Sequence, residues 1–146
     1  MNATDWDGKE QLTRETAVLM FADVVESVRL IEQNEALAVG RIRAVLRSAS
    51  SICTARFSAL ILEQRGDGIL VKFAAARDAA ACALELHAAV DKSNVGIDSS
   101  QRIALRIGIH KDSILTDDDR VYGQGINLAA RVTALAGPFE IGRAHV

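Results

Sequence analysis

Residues that staple or stiffen a small domain are scarce in this sequence. Its 146 residues include one proline, two cysteines and 4% aromatic residues. Two cysteines are too few for the disulfide framework of a small secreted domain. Because Cys53 and Cys82 both lie in apolar stretches, we interpret them as free, buried thiols rather than as a disulfide or metal ligands. Free thiols are typical of a reducing compartment, so we expect a cytoplasmic location.

Long apolar runs and an excess of charge are also missing. No run approaches the roughly 18 residues that a membrane-spanning helix needs. The first sixteen residues lack a basic segment followed by an apolar one, so we expect no signal peptide. The net charge of −2 gives no basic field, which argues against a nucleic-acid partner. An apolar fraction of 49% over this length predicts one globular domain with its own core.

Apolar spacing along the chain predicts the order strand, helix, two strands, helix, strands, helix. This order indicates an α+β fold, a ferredoxin-like antiparallel sheet with helices packed on it. The predicted elements are a strand at 17–21, a helix over 27–55, a hairpin of 57–62 and 69–73, a helix over 75–92, a strand over 102–110, a strand or hairpin over 111–123 and a helix within 123–137.

The two ends of the chain depart from this pattern. Residues 1–16 are polar, and we interpret them as an N-terminal extension of a domain that covers 17–141. The last seven residues, EIGRAHV, continue no pattern. They back-translate as GAG ATC GGA AGA GCA CAC GTC, the start of a widely used sequencing-library adapter. We therefore expect 142–146 to be an adapter artefact and the domain to be incomplete at its C-terminus.

Two aspartates follow or interrupt strand-like segments. Asp23 comes directly after the first apolar run, and Asp67 lies between two glycines in the hairpin. In an antiparallel sheet these points can be neighbours, where two buried carboxylates repel unless a cation lies between them. Mg²⁺ accepts one or two carboxylates together with phosphate oxygens. The alternatives are a helix cap for Asp23 and a simple turn residue for Asp67.

A third polar cluster lies near the C-terminus. Asn127 and Arg131 are spaced i and i+4, so they share one face of the predicted helix. Gly123 and Gly125 precede them and would allow the backbone to approach a ligand closely. An amide and a guanidinium on one face suit negative charge developing on a phosphate. The alternative is a solvent-facing arginine beside an asparagine near a helix start.

Four segments together resemble the catalytic domain of class III nucleotide cyclases, the adenylate and guanylate cyclases: VLMFADVVESVRL, RGDGILVKF, LRIGIH and VYGQGINLAARV. The resemblance implies that Asp23 and Asp67 bind two Mg²⁺ or Mn²⁺ ions. It implies that Asn127 orients the ribose and Arg131 stabilises the transition-state phosphate. The ribose 3′-hydroxyl would then attack the α-phosphate of a nucleoside triphosphate and release pyrophosphate. The family acts as a dimer, with the metal pair and the Asn/Arg pair from different protomers, and many members carry regulatory domains.

Two positions where the family commonly has glycine carry acids here, Glu26 and Asp112. A carboxylate at Glu26 would repel the triphosphate unless it turns outward or joins the metal ligands. This departure favours a second interpretation, a catalytically weak nucleotide-binding or dimerisation module that regulates an attached partner.

The positions that would contact the base also differ. Adenylate cyclases usually have lysine where this chain has Glu63, and aspartate or threonine where it has Arg120. Glu63 can accept from the N1 and N2 donors of guanine, and Arg120 can donate to its O6. Alternatively, the two residues pair with each other, or Arg120 contacts nothing. ATP is the default substrate for a bacterial-type member, and GTP remains the alternative.

Overall fold

A computed structural model describes residues 12–116, 121–122 and 141–143 of the chain. The described residues form six strands, three α-helices and a short 3₁₀ helix. In chain order these are β1 (Thr13–Val24), α1 (Ser27–Gln33), α2 (Glu35–Phe57), β2 (Leu60–Arg65), β3 (Gly68–Phe73), α3 (Ala76–Ser93), the 3₁₀ helix (Ser99–Gln101), β4 (Leu105–Thr116), β5 (Val121–Tyr122) and β6 (Ile141–Arg143).

The six strands form one sheet in the order β2-β3-β1-β4-β5, with β6 also beside β4. β1 is central and pairs antiparallel with β3 and β4. The predicted α+β, ferredoxin-like arrangement is therefore confirmed. The sheet is mixed rather than wholly antiparallel, because β6 pairs parallel with β4. β5 covers only the 115–116 end of that edge, which leaves backbone groups at 107–109 for β6 to pair.

β1 is buried on both faces, and alternate residues enter different clusters. One set packs under α2 and α3 in the main core: Val18, Met20, Ala22 and Val24. The other set joins a second apolar cluster with Leu70 and Ile114: Ala17 and Leu19. Asp23 has the parity of the second set, so its side chain leaves the sheet on the face opposite α2 and α3.

The single helix predicted over 27–55 is wrong, because the chain breaks at Asn34 into α1 and α2. Asn34 has an extended backbone, and its Oδ1 accepts a hydrogen bond from the Leu37 amide at 3.3 Å. This side-chain cap begins a new helix while the apolar spacing continues through it. Gly40, the predicted weak point, lies inside α2 without interrupting it.

Three predicted strand boundaries also move. β1 begins at Thr13, four residues before the predicted start at 17, because β4 extends to Thr116 and pairs with the polar residues there. Phe57 ends α2 instead of opening a strand, and Ser58 follows in the left-handed conformation at φ 51°. The predicted separate element after 110 is the second half of β4, which forms a hairpin with β5. The origin of 142–146 stays a prediction.

The two cysteines lie side by side in the core. Cys53 on α2 and Cys82 on α3 are free and fully buried, with their Sγ atoms 3.5 Å apart. The prediction of free, buried thiols is confirmed. The hydrogen bond with Cys53 and burial both raise the pKa of the Cys82 thiol. Within the ranges that the structure describes, no helix has the length and apolar content needed to span a membrane.

Candidate active site

Asp23 is the next-to-last residue of β1, between Gly68 of β3 and Arg106 of β4. Arg106 Nε donates to Asp23 Oδ1 at 3.0 Å, and Arg106 Nη2 donates to Asp23 Oδ2 at 3.4 Å. Burial raises the pKa of the Asp23 carboxyl, the Arg106 guanidinium opposes that rise, and the negative charge of Asp67 adds to it. Asp23 is therefore half-buried, held by a cation and electrostatically coupled to the second aspartate.

Asp67 occupies the two-residue turn between β2 and β3. Its backbone carbonyl accepts a hydrogen bond from the Val24 amide at 2.8 Å, which ties the turn to the end of β1. Its Oδ2 accepts a hydrogen bond from Ser27 Oγ at 3.0 Å. The prediction that the hairpin turn lies beside the end of the first strand is therefore confirmed.

The two glycines of the RGDG turn have different roles. A Cβ atom on Gly68 would lie 3.0 Å from the Ala22 carbonyl oxygen and 3.2 Å from Asp23 Cβ. A side chain there would force the neighbouring atoms of β1 to give by a few tenths of an ångström, so glycine suits this close contact beside the first aspartate. A Cβ atom on Gly66 would meet nothing within 4 Å. The second glycine thus permits the contact that brings the two aspartates together.

The two carboxylates suit a magnesium or manganese ion. Among the described residues there is no group of three or more His, Cys, Asp or Glu side chains placed to enclose a metal. Mg²⁺ needs no such cage, because it takes one or two carboxylates and fills its other positions with water and phosphate oxygens. A cavity of about 370 Å³ lies against Asp67, and Ser27, Arg43 and Gly66 also line it. The donor set fits an ion that arrives with a phosphate ligand.

Glu26 resolves one question raised by the sequence. Its backbone is left-handed, at φ 52°, a conformation that favours glycine. Its side chain is 61% exposed, and Oε2 accepts a hydrogen bond from Arg29 Nε at 2.8 Å. The carboxylate is therefore turned outward and neutralised by Arg29. The other acid in a glycine position, Asp112, accepts a hydrogen bond from the Ser113 amide at 2.7 Å, which lowers the pKa of its carboxyl.

Glu63 lies in β2 and is paired within its own strand. Arg65 Nε donates to Glu63 Oε1 at 2.7 Å, and the Glu63 side chain is 43% exposed. Arg120, Asn127 and Arg131 lie outside the described residues. Of the predicted site, the structure thus brings Asp23 and Asp67 together and shows Glu63 engaged by a neighbour.

Sequence reasoning missed the two residues that hold the aspartates, Arg106 and Ser27. Arg106 alternates with apolar residues in the RIALRIGIH segment, and the strand register places it opposite Asp23. Pairing the first and fourth strands of the predicted fold would have suggested that contact. Ser27 reaches Asp67 through the path of the β1–α1 loop, which apolar spacing does not reveal.

The fold is the one that the cyclase resemblance predicts. The family model for the adenylate and guanylate cyclase catalytic domain matches residues 10–144. A crystal structure from Silicibacter pomeroyi, described as an adenylate/guanylate cyclase/hydrolase, is 31% identical with a TM-score of 0.80 and covers 89% of this chain and 76% of that one. The chain belongs to the adenylate and guanylate cyclase catalytic domain family.

Curated relatives are longer proteins. A protein of Rhizobium meliloti (strain 1021), provisionally named an adenylate cyclase, is 34% identical over 89% of this chain and 22% of its own length. An uncharacterized protein of Mycobacterium tuberculosis is 36% identical over 88% of this chain and 48% of its own length. The chain therefore spans between about a fifth and a half of the curated relatives that it matches. The guanylyl cyclase Cya2, at 22% identity and a TM-score of 0.76, shares the fold.

Proposed function

We propose that this chain is the catalytic domain of a nucleotide cyclase. It converts ATP, with GTP as the alternative, into the 3′,5′-cyclic nucleotide and pyrophosphate in cyclic-nucleotide signalling. The observation that carries the proposal is the pair Asp23 and Asp67, held beside each other at one end of the sheet in a member of this family. The printed names of the Rhizobium and Silicibacter relatives support the same reaction class.

Asp23 and Asp67 would hold two Mg²⁺ or Mn²⁺ ions. When bound, such ions favour ionisation of the ribose 3′-hydroxyl and neutralise charge on the departing pyrophosphate. The chain's own residues set up the two carboxylates. Arg106 binds the Asp23 carboxylate and Ser27 binds that of Asp67, so both are oriented before substrate arrives. Arg29 keeps the Glu26 carboxylate away from the phosphates.

Asn127 would orient the ribose, and Arg131 would stabilise charge on the reacting phosphate. We propose that these two residues come from the second protomer of a homodimer. The support is the family resemblance together with their i, i+4 spacing. Regulatory domains outside this chain and a cytoplasmic location stay predictions.

The primary test is a Mn²⁺-supported assay with ATP and GTP in parallel. The wild-type chain should form cyclic nucleotide, and Asp67→Asn should lower the rate by at least about a hundredfold, because a neutral amide is a poor Mg²⁺ or Mn²⁺ ligand. Asp91→Asn, on the exposed side of α3, is the matched control and should leave the rate unchanged. Equal rates in Asp67→Asn and the wild type would refute the metal assignment.

Complementation tests the dimer. Asp67→Asn and Arg131→Ala should each be inactive alone, because each damages every site of a homodimer. Mixing the two unfolded chains and refolding them together should restore activity, because a heterodimer contains one site with neither substitution. Mixtures that stay as inactive as the separate variants would contradict a site shared between protomers.

Glu63 bears on the choice of base. We propose that it accepts hydrogen bonds from guanine when GTP is the substrate, after its bond with Arg65 opens. A Glu63→Lys, Arg120→Asp double variant should shift the ratio of kcat/KM values toward ATP. An unchanged ratio would remove Glu63 and Arg120 from base recognition.

The second candidate function is the weak nucleotide-binding module. It is favoured by Glu26, an acid in a left-handed backbone where the family commonly has glycine, and by the exchanged base-contact residues Glu63 and Arg120. Nucleotide binding without product from ATP or GTP in the same Mn²⁺ assay would support it over the cyclase.

A further inference from the structure

A cleft lies beside the β2–β3 hairpin turn, next to the cavity at Asp67. It has a volume of about 460 Å³ and lies between the middle of α2 and the end of β2. No acidic residue is among those that line it. Its polar lining consists of arginine, serine and glutamine side chains: Arg43, Arg47, Ser50, Gln64 and Arg65. We call it the arginine cleft. The cleft concentrates positive charge in a concave surface, a setting that attracts anions.

Two of these arginines are unpaired among the described residues. Arg43 and Arg47 are spaced i and i+4 on α2, so their side chains project from one face of the helix. Neither forms an ion pair or a hydrogen bond with the described residues. By contrast, Arg41 and Arg56 of the same helix are engaged, Arg41 with Asn94 and Arg56 with Glu85. The cleft therefore contains two guanidinium groups with unused donors.

Ser50 adds a separate observation. It lines the same cleft, and its Oγ is buried with no hydrogen-bond partner among the described residues. A buried hydroxyl without a partner is uncommon and invites a bound group. Two free guanidinium groups and a hydroxyl are donors that suit phosphate oxygens.

We propose that the arginine cleft binds a phosphate-class anion, through Arg43 and Arg47 with Ser50 as a third donor. The anion is either free, as phosphate or pyrophosphate, or the phosphate group of a nucleotide. The arginine cleft and the cavity lined by Asp67 adjoin, because Arg43 and Gly66 line both. The cleft is nevertheless distinct from the aspartate site, since Asp67 does not line it. An anion avoids the carboxylate of Asp67 and stays on the side of the arginines.

The test measures anion binding without divalent metal, so that it does not depend on cyclase activity. Isothermal titration calorimetry on the full chain in EDTA uses phosphate, pyrophosphate and AMP, with sodium chloride at matched ionic strength as the blank. Wild-type chain should bind at least one of the three phosphates saturably. Arg43→Gln with Arg47→Gln should weaken that binding by about tenfold or more, because charge-assisted hydrogen bonds are lost.

Three variants sharpen the result. Arg56→Gln, on the same helix but paired with Glu85, should bind like the wild type. Asp67→Asn should bind at least as tightly, which separates this site from the proposed metal site. Arg43→Lys with Arg47→Lys should retain part of the affinity, because the positive charges remain.

Tighter binding of pyrophosphate or phosphate than of AMP would assign the cleft to a free anion, and the reverse order to a nucleotide. No saturable binding of any of the three, or equal affinity in the Arg43→Gln, Arg47→Gln variant, would overturn the proposal. Thermal unfolding of each variant checks that the fold is retained.

Discussion

The two aspartates of the candidate site are held in different ways. Asp23 is part of the central strand, 34% exposed, and bound by the Arg106 guanidinium. Asp67 lies in a two-residue turn outside the sheet and is bound by the neutral hydroxyl of Ser27. One carboxylate is thus fixed by the core and balanced by charge, and the other is fixed by a turn and oriented by a single hydrogen bond.

A sheet can therefore bring two like charges together by holding each in a different way. Asp23 cannot move without disturbing β1. The cost of burying its negative charge is therefore offset by the guanidinium of Arg106, which lies beside it on β4. Asp67 is outside the strands, so its position depends on local contacts at the end of β1. We therefore expect changes around Asp23 to affect folding and titration, and changes around Asp67 to affect mainly metal affinity.

The largest expected effect is on stability, at the point where β1 and β3 meet. Gly68→Ala places a Cβ 3.0 Å from the Ala22 carbonyl oxygen, so the β1 backbone there must give by a few tenths of an ångström. We expect the free energy of unfolding to fall by about 1–3 kcal/mol, measured by urea denaturation. Gly66→Ala, in open space at the other end of the turn, is the control and should change it by less than about 0.5 kcal/mol. Equal losses in both variants would contradict the close-contact explanation.

The next effect is on titration at Asp23. Arg106 opposes the rise that burial causes in the pKa of Asp23, so Arg106→Gln should raise that pKa further. Metal binding requires the ionised carboxylate, and its acid limit should move to higher pH. Carboxyl ¹³C NMR and Mn²⁺ titrations against pH measure the two shifts. Arg29→Gln, which breaks the exposed pair with Glu26, should leave both unchanged.

The sign of the stability change follows from the same pKa. Because burial raises the folded pKa of Asp23 above its ordinary value of 3.8, the folded chain binds this proton more tightly than the unfolded chain. The stabilisation that this proton gives to the folded chain is complete below pH 3.8 and is lost as the pH rises through the raised pKa of Asp23. As the pH rises through this range, the free energy of unfolding should fall by more in Arg106→Gln than in the wild type. A smaller loss in Arg106→Gln would reverse the assignment of Arg106 as the group that lowers the pKa.

The smallest effect is expected for Ser27, the residue whose hydroxyl binds the Asp67 carboxylate. Ser27→Ala removes the hydroxyl that binds its carboxylate, and we expect Mn²⁺ affinity to fall by about twofold to tenfold. The free energy of unfolding should stay within about 0.5 kcal/mol, because the contact is exposed. Ser51→Ala, exposed on α2, is the matched control. A loss of stability without a loss of metal affinity would make Ser27 a structural residue only.

Sequence patterns predicted the features that depend on local chemistry. The apolar run before Asp23 predicted the first strand, and the glycines around Asp67 predicted the hairpin turn. Both carboxylates could be located in this way because strand patterning and turn composition are local. The helix break at Asn34 was missed because the apolar spacing continues through its side-chain cap. Arg106 was missed because its role depends on strand register, which joins residues 83 positions apart. Glu26 was recognised as a departure from glycine, but its outward pairing with Arg29 depends on the loop conformation.

The buried thiols of Cys53 and Cys82 also provide a probe of how often the main core opens. They lie on different helices, at 0% exposure, in the main core that also packs against β1, the strand of Asp23. A thiol reagent can reach them only when α2 and α3 separate, so the labelling rate measures how often the main core opens. Any ligand that binds only the folded chain, at the aspartates or at the arginine cleft, should slow that rate in proportion to its occupancy.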